Sequence, residues 1–183
     1  MTRLTRRLFT LLAVAALAGC AGSGEVTRQG PPEPLGAFKL GHIVVVADDV
    51  KQVPPSRDVS ADEWEAAMRD AIDARFSGHT GDQFYHIAVH VLGYSVAVPG
   101  VPVLLAPKSA MIIDVTIWDD EAGGKINAEP KQFTVLESVS PDFVVGTGYT
   151  KSRTEQVANL AANAAGQIED WMRENEDWFA PNP

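Results

Sequence analysis

The chain has 183 residues, with 15 Lys and Arg against 24 Asp and Glu and a formal charge of −9. Such an acidic surface argues against nucleic acid as a partner and against docking on anionic lipid headgroups. A single cysteine excludes an internal disulfide, so the fold must rest on its core, and the length suits one domain.

Residues 1–19 place Arg3, Arg6 and Arg7 ahead of an apolar run from Leu8 to Leu17. This is the layout of a secretory signal peptide. The run is too short to span a bilayer, which takes roughly 20 apolar residues. Leu17-Ala18-Gly19-Cys20 resembles the lipobox of bacterial lipoproteins. The resemblance implies a diacylglycerol on the Cys20 thiol, removal of residues 1–19 and acylation of the new amino terminus. Thr5-Arg6-Arg7-Leu8-Phe9 also resembles a twin-arginine export motif, with ordinary secretion as the default. Ala rather than Asp at position 21 implies, by the same resemblance, sorting to the outer membrane. Loss of the three leader arginines moves the formal charge from −9 to −12. The lipid, not charge, then holds the protein at the membrane.

Residues 20–38 are rich in Gly and Pro and lack periodicity, which predicts a flexible tether ahead of a domain over 39–183. Leu40 to Ala47 is β-branched and apolar, a predicted strand. Asp48 to Asp58, with Pro54-Pro55, reads as a loop. Ser60-Ala61-Asp62-Glu63 is a capping box, and Trp64, Met68, Ile72 and Phe76 follow on one helix face up to Gly78. Phe84 to Tyr94 alternates, with Tyr85, Ile87, Val89 and Val91 on one side and His86, Ala88, His90 and Leu92 on the other. Ser109 to Trp118 alternates likewise, with Met111, Ile113, Val115 and Ile117 inward. Glu121 to Lys125 predicts a hairpin turn, and Ile126 to Glu137 the returning strand, with Pro130 marking an edge or a bulge. Thr154 to Asn175 predicts a second helix with Val157, Leu160, Ala161, Ala164, Ile168, Trp171 and Met172 as its stripe, and with Glu169, Asp170 and Arg173 on its polar side.

The order β-α-β-β-β-α predicts an α+β two-layer sandwich: a mostly antiparallel sheet with two helices on one face. Several stretches carry a resemblance at this level. They are Tyr85-His86-Ile87, Gly93-Tyr94 to Pro102, Pro107-Lys108-Ser109, Trp118-Asp119-Asp120 and the Ala-rich last helix with Ile168 and Trp171. Together with the lipobox they resemble an uncharacterised alphaproteobacterial lipoprotein family of unknown function. At the level of fold they resemble small helix-on-sheet lipoproteins of envelope assembly. The resemblance implies a fold and an address, not an activity.

Chemical motifs are sparse. His86 and His90 would share a zinc ion on a helix, but on a strand they stand about 13 Å apart. Val145 to Ser152 lacks the glycines of a phosphate loop. Asp48-Asp49 and Asp119-Asp120 lie where turns are expected and have no calcium-loop spacing. No G-x-S-x-G elbow occurs. The unusual segment is Val96 to Ala106, eleven residues without a charge, broken by Pro99-Gly100 and Pro102. It reads either as a connection folded over the core or as an apolar lip presenting Val98, Val101, Val103, Leu104 and Leu105 to a partner or a lipid.

The expectation is a non-enzymatic periplasmic lipoprotein with no metal or cofactor. It is held in the outer membrane by its lipid and binds an envelope protein, with a carrier of lipid or a small apolar ligand through residues 96–106 as the alternative. Replacing Cys20 with Ala is expected to abolish incorporation of labelled palmitate and release the protein from washed membranes. Labelling that survives the substitution would remove the anchor assignment.

Overall fold

The computed structural model describes residues 33–98, 109–138 and 151–180. Its elements are β1 (Phe38–Val46), β2 (Lys51–Gln52), α1 (Ala61–Phe76), β3 (Gln83–Ser95), β4 (Ala110–Asp119), β5 (Gly124–Lys125), β6 (Lys131–Leu136) and α2 (Arg153–Glu174). A 3-10 turn, Glu176–Phe179, closes the described chain. This is the expected α+β sandwich, a mixed sheet of six strands with two helices.

β3 is the central strand. β1 runs parallel to it from Phe38 opposite Gln83 to Val46 opposite His90, and β2 adds a parallel pair at Gly93 and Tyr94. The chain can make a parallel β1–β3 pair because α1 lies between the two strands in sequence and supplies the crossover. β4 is antiparallel to β3, and β6 and β5 extend the sheet beyond β4. Alternation places Tyr85, Ile87, Val89 and Val91 beside Met111, Ile113, Val115 and Ile117, all buried. Trp64, Met68, Ile72 and Phe76 of α1 and Leu160, Ala164, Ile168 and Met172 of α2 complete this core. Each large apolar side chain buried this way contributes about 1.5–3 kcal/mol before chain entropy is counted.

Both helices start on a capping box. Ser60 Oγ accepts from the Glu63 amide while Glu63 accepts from the Ser60 amide, and Ser152 with Glu155 repeats the pattern. The bond from the Ser60 amide holds the Glu63 carboxyl below its usual range. α1 ends through Ser77 in right-handed geometry, and among the described glycines only Gly36 and Gly123 have positive φ. Gly78 therefore does not close the helix as a left-handed cap.

The expected strand from Ile126 to Glu137 is shorter, Lys131–Leu136, and a two-residue strand, Gly124–Lys125, lies instead within the expected turn. Asn127 inserts its side chain against β4, where Oδ1 accepts from the Ile117 amide and Nδ2 donates to the carbonyls of Val115 and Glu129. A side chain thus fills the ladder just ahead of Pro130, and main-chain pairing begins again at Lys131.

Glu169 is a correction to the expected polar face of α2. Its side chain is 1% exposed, 2.5 Å from Arg75 of α1 and 2.6 Å from Arg173 one turn on. Position 169 lies on the seam with α1, which the periodicity of α2 alone does not reveal.

The two helices run parallel. Arg153 pairs with Glu63 at their starts, and Arg75 pairs with Glu169 near their ends. The sandwich consequently has two distinct ends. At the first, the packed chain reaches back into the predicted tether: Leu35 and Phe38 are buried. Ala37 donates to the Phe179 carbonyl at 2.7 Å, and Arg173 donates to the Glu33 carbonyl at 3.1 Å. Gly36 sits there at φ +51, where a Cβ would overlap the Phe179 carbonyl. Phe179 meets Phe38 and Tyr85 edge-on, and Trp178 meets Trp171 in the same way, so this aromatic pair ties the end of the final helix to the core. No helix among the described residues is long and apolar enough to cross a membrane.

The double replacement Arg75→Ala, Arg173→Ala strands a buried carboxylate and is expected to cost about 3–5 kcal/mol in urea unfolding. Glu169→Leu leaves two guanidinium groups that are partly exposed and can turn to water, so it is expected to cost clearly less. Equal costs would show that burial of the charge is not what matters.

Candidate functional site

The second end of the sandwich gathers the roots of the stretches 99–108 and 139–150. The chain continues past the end of β3 at Ser95 to Val98, and the described chain resumes at Ser109 ahead of β4. These roots are pinned from several elements. The Val96 amide donates to Ser56 Oγ at 2.9 Å, the Arg57 amide donates to the Val96 carbonyl at 2.9 Å, and the Ala97 amide donates to Ser109 Oγ at 3.0 Å. Gln156, in the first turns of α2, donates to both the Ala97 carbonyl and Ser109 Oγ at 3.3 Å. Ser138 is held by Asn159 and Asn163 of α2, and Lys151 bridges Glu137 and the Ser138 carbonyl. Arg57 reaches the Lys151 carbonyl, and Arg153 reaches both the Asp58 carbonyl and Glu63. Both stretches thus depart from one rigid platform. Val98 is on it and is 37% exposed. Val101, Val103, Leu104 and Leu105 lie outside the described residues, as do Cys20 and the Val145–Thr150 loop.

The open face of the sheet is the other candidate surface. It carries Val44 and Val46 of β1, Phe84, His86 and His90 of β3, Ile112 and Trp118 of β4 and Leu136 of β6. The two histidines are not brought together, as expected for a strand. Each meets a different aspartate: His86 Nε2 is 3.1 Å from Asp120 Oδ1, and His90 Nε2 is 2.7 Å from Asp49 Oδ1. The hydrogen bond from His90 lowers the Asp49 pKa. His42 stacks on His86 with ring centroids 5.0 Å apart. Asp119 is a turn residue: its carboxylate accepts the amides of Glu121 and Ala122 and the side chain of Gln83. Among the described residues no three His, Cys, Asp or Glu side chains form a metal-holding group. His86 is also a poor ligand for a physical reason. Its Nδ1 accepts from the His42 amide at 2.8 Å, so in the neutral ring Nε2 keeps its proton and has no lone pair for a metal.

A groove of about 490 Å³ runs along the outer side of the helix pair, lined by Ala66, Ala67 and Ala71 of α1 and Val157, Ala158 and Ala162 of α2. Small residues at this seam let the two parallel helices approach closely. The space between helices and sheet, by contrast, is filled by Trp64, Met68, Ile72, Ile87, Ile113, Ile117 and Leu160.

The His–Asp pairs escape a reading of the sequence because their partners stand 34 and 41 residues apart. The only local signal is an aspartate at the end of a strand beside one whose outward positions carry histidine.

No protein-family model and no curated protein sequence matches the chain. Solved structures with some likeness include three from bacteria. A candidate lipoprotein of Caulobacter crescentus is 13% identical, with a TM-score of 0.40, over 71% of this chain and 92% of that one. A Xanthomonas campestris protein of the DUF330 family is 13% identical, with a TM-score of 0.36, over 78% and 93%. A minor lipoprotein of Acinetobacter baumannii is 17% identical, with a TM-score of 0.31, over 73% and 93%. Likeness this distant assigns no activity to the chain.

His90→Ala is expected to return the Asp49 titration upward toward the ordinary aspartate range, followed by carboxyl-carbon NMR. With the pKa depressed in the folded state, whatever Asp49 contributes to stability is present above the unfolded value and fades as pH falls through the lowered one. An unchanged titration would remove His90 as the cause.

Proposed function

We propose that the chain is a non-enzymatic, lipid-anchored envelope protein that binds a protein partner through the end of the sandwich opposite its tether. The carrying observation is the polarity of the domain. The chain enters the fold at Glu33 to Phe38, against the C-terminal ends of both helices. The apolar segment departs after Val98, at their N-terminal ends. β3 has 13 residues and spans roughly 40 Å between these ends. With the lipid at Cys20, an extended tether of 13 residues adds up to about 45 Å. In that arrangement Val98, the root of the uncharged stretch, lies at the end of the domain opposite the tether. A protein in the envelope is then a better match for it than the protein's own membrane. The filled helix–sheet interface supports this reading over a carrier with an internal cavity. Placement in the outer membrane, facing the periplasm, rests on Ala21 after the lipobox cysteine.

A photocrosslinking side chain at Val98, in cells at native abundance, is expected to give a reproducible protein adduct, and the same group at Glu176 is not. Lipid adducts alone at Val98 would favour the carrier. The absence of any adduct would overturn the proposal.

A further inference from the structure

His86 is held at its two ring nitrogens by groups of opposite character. A main-chain amide donates whatever the pH, so His86 Nδ1 must accept from His42 N–H across 2.8 Å. The neutral ring then carries its proton on Nε2, directed at Asp120 Oδ1. The ring is the partner of the His42 amide. Register between β1 and β3 shifts from Leu40–Tyr85 to Ile43–Ile87, so Gly41 and His42 form a bulge outside the ladder. Glycine at 41 makes the contact possible, because a Cβ there would overlap the His86 ring. The imidazole thus stands in for the missing sheet partner of an extra residue.

A protonated imidazole has N–H at both positions, and its Nδ1–H would face the His42 N–H donor against donor. We infer that His86 is a proton-operated latch on the β1 bulge: the neutral ring holds the bulge closed and protonation releases it. The surrounding groups decide where the loss falls. From β1, His42 stacks on the ring and adds a second positive charge when it too is protonated, which favours separation. From the end of β4, Asp120 attracts the charged ring and keeps it on the β3–β4 side. The register partner on β4, Trp118, is uncharged, and Lys125 of β5 lies opposite Trp118. Along β3, His90 shares the face but carries its own carboxylate, Asp49. Lys39 of β1 is turned over the Phe84 ring. Release is therefore local to Leu40–Ile43, on the outermost strand beside β3, while β3 and β4 stay paired.

Native-state hydrogen exchange by NMR on the lipidated protein in detergent micelles tests this. Between about pH 7.5 and about pH 5, protection of the His42 amide, corrected for intrinsic exchange, should fall by about tenfold or more relative to Val45. His86→Gln keeps an acceptor that does not titrate, and in it the ratio should stay flat. The ring nitrogen shifts of His86 at neutral pH should report the Nε2–H tautomer. A flat ratio in the native protein, an equal fall in His86→Gln, or an Nδ1–H tautomer would each overturn the latch. If His86→Gln does not fold, the native ratio and the tautomer decide alone.

Discussion

The buried carboxylate of Glu169 is the constraint on which the rest of the architecture hangs. A charge that is 1% exposed must be met by opposite charge, and Arg75 and Arg173 meet it from two helices. That requirement sets the two helices side by side at their C-terminal ends. Arg173 extends the same cluster to the Glu33 carbonyl, where the chain enters the domain. One ionic centre therefore ties together both helices and the entry of the tether. Replacing such a centre with apolar residues is often harmless to stability; the strand order already sets the direction of α1 and α2, and the centre marks which of their residues meet.

Direction matters because it gives the sandwich two unlike ends. At the entry end, aromatic packing among Phe38, Tyr85, Phe179, Trp171 and Trp178 closes the core where the chain enters at Glu33. At the other end, the backbone is held by short side-chain bonds from Ser56, Ser109, Gln156, Asn159 and Asn163. Polar pinning of this kind fixes the roots of long connections without adding core, and these roots lie a fold's length from Glu33, where the described chain enters. The proposed role as a partner-binding envelope lipoprotein follows from this separation together with the lipobox. The described residues add no catalytic constellation to it.

The open sheet face shows a different economy. A mixed sheet needs only one buried face, and here the second is left to alternating apolar and polar side chains. The histidines on it serve the strands: His86 satisfies a bulge amide, and His90 holds Asp49 beyond the end of β1. Only the first replaces a bond that the ladder does not supply. His86, with both ring nitrogens engaged, is a poor metal ligand, and the strand sets it about 13 Å from His90 despite their suggestive spacing.

Much of the fold was legible in the sequence, because the signals that form helices and half-buried strands are local. Alternation along β3 and β4, fourfold spacing in α1, the stripe of α2 and the Ser60–Glu63 capping box each act within one element. The anchor expectation at Cys20 is likewise a matter of adjacent residues. What only the tertiary structure decided depends on residues far apart in the chain. Glu169 meets Arg75 across 94 residues, and His86 meets His42 across 44. Asn127 enters the ladder because Pro130 cannot supply an amide to it. The parallel course of the helices, and with it the two ends on which the functional reading rests, follows from the strand pairing, since α1 returns from β1 and α2 follows β6, which runs the same way; those long-range pairs then join the two helices at both ends. A single helix shows which of its faces is apolar, but a charge on its edge is exposed or buried according to the neighbour that packs there.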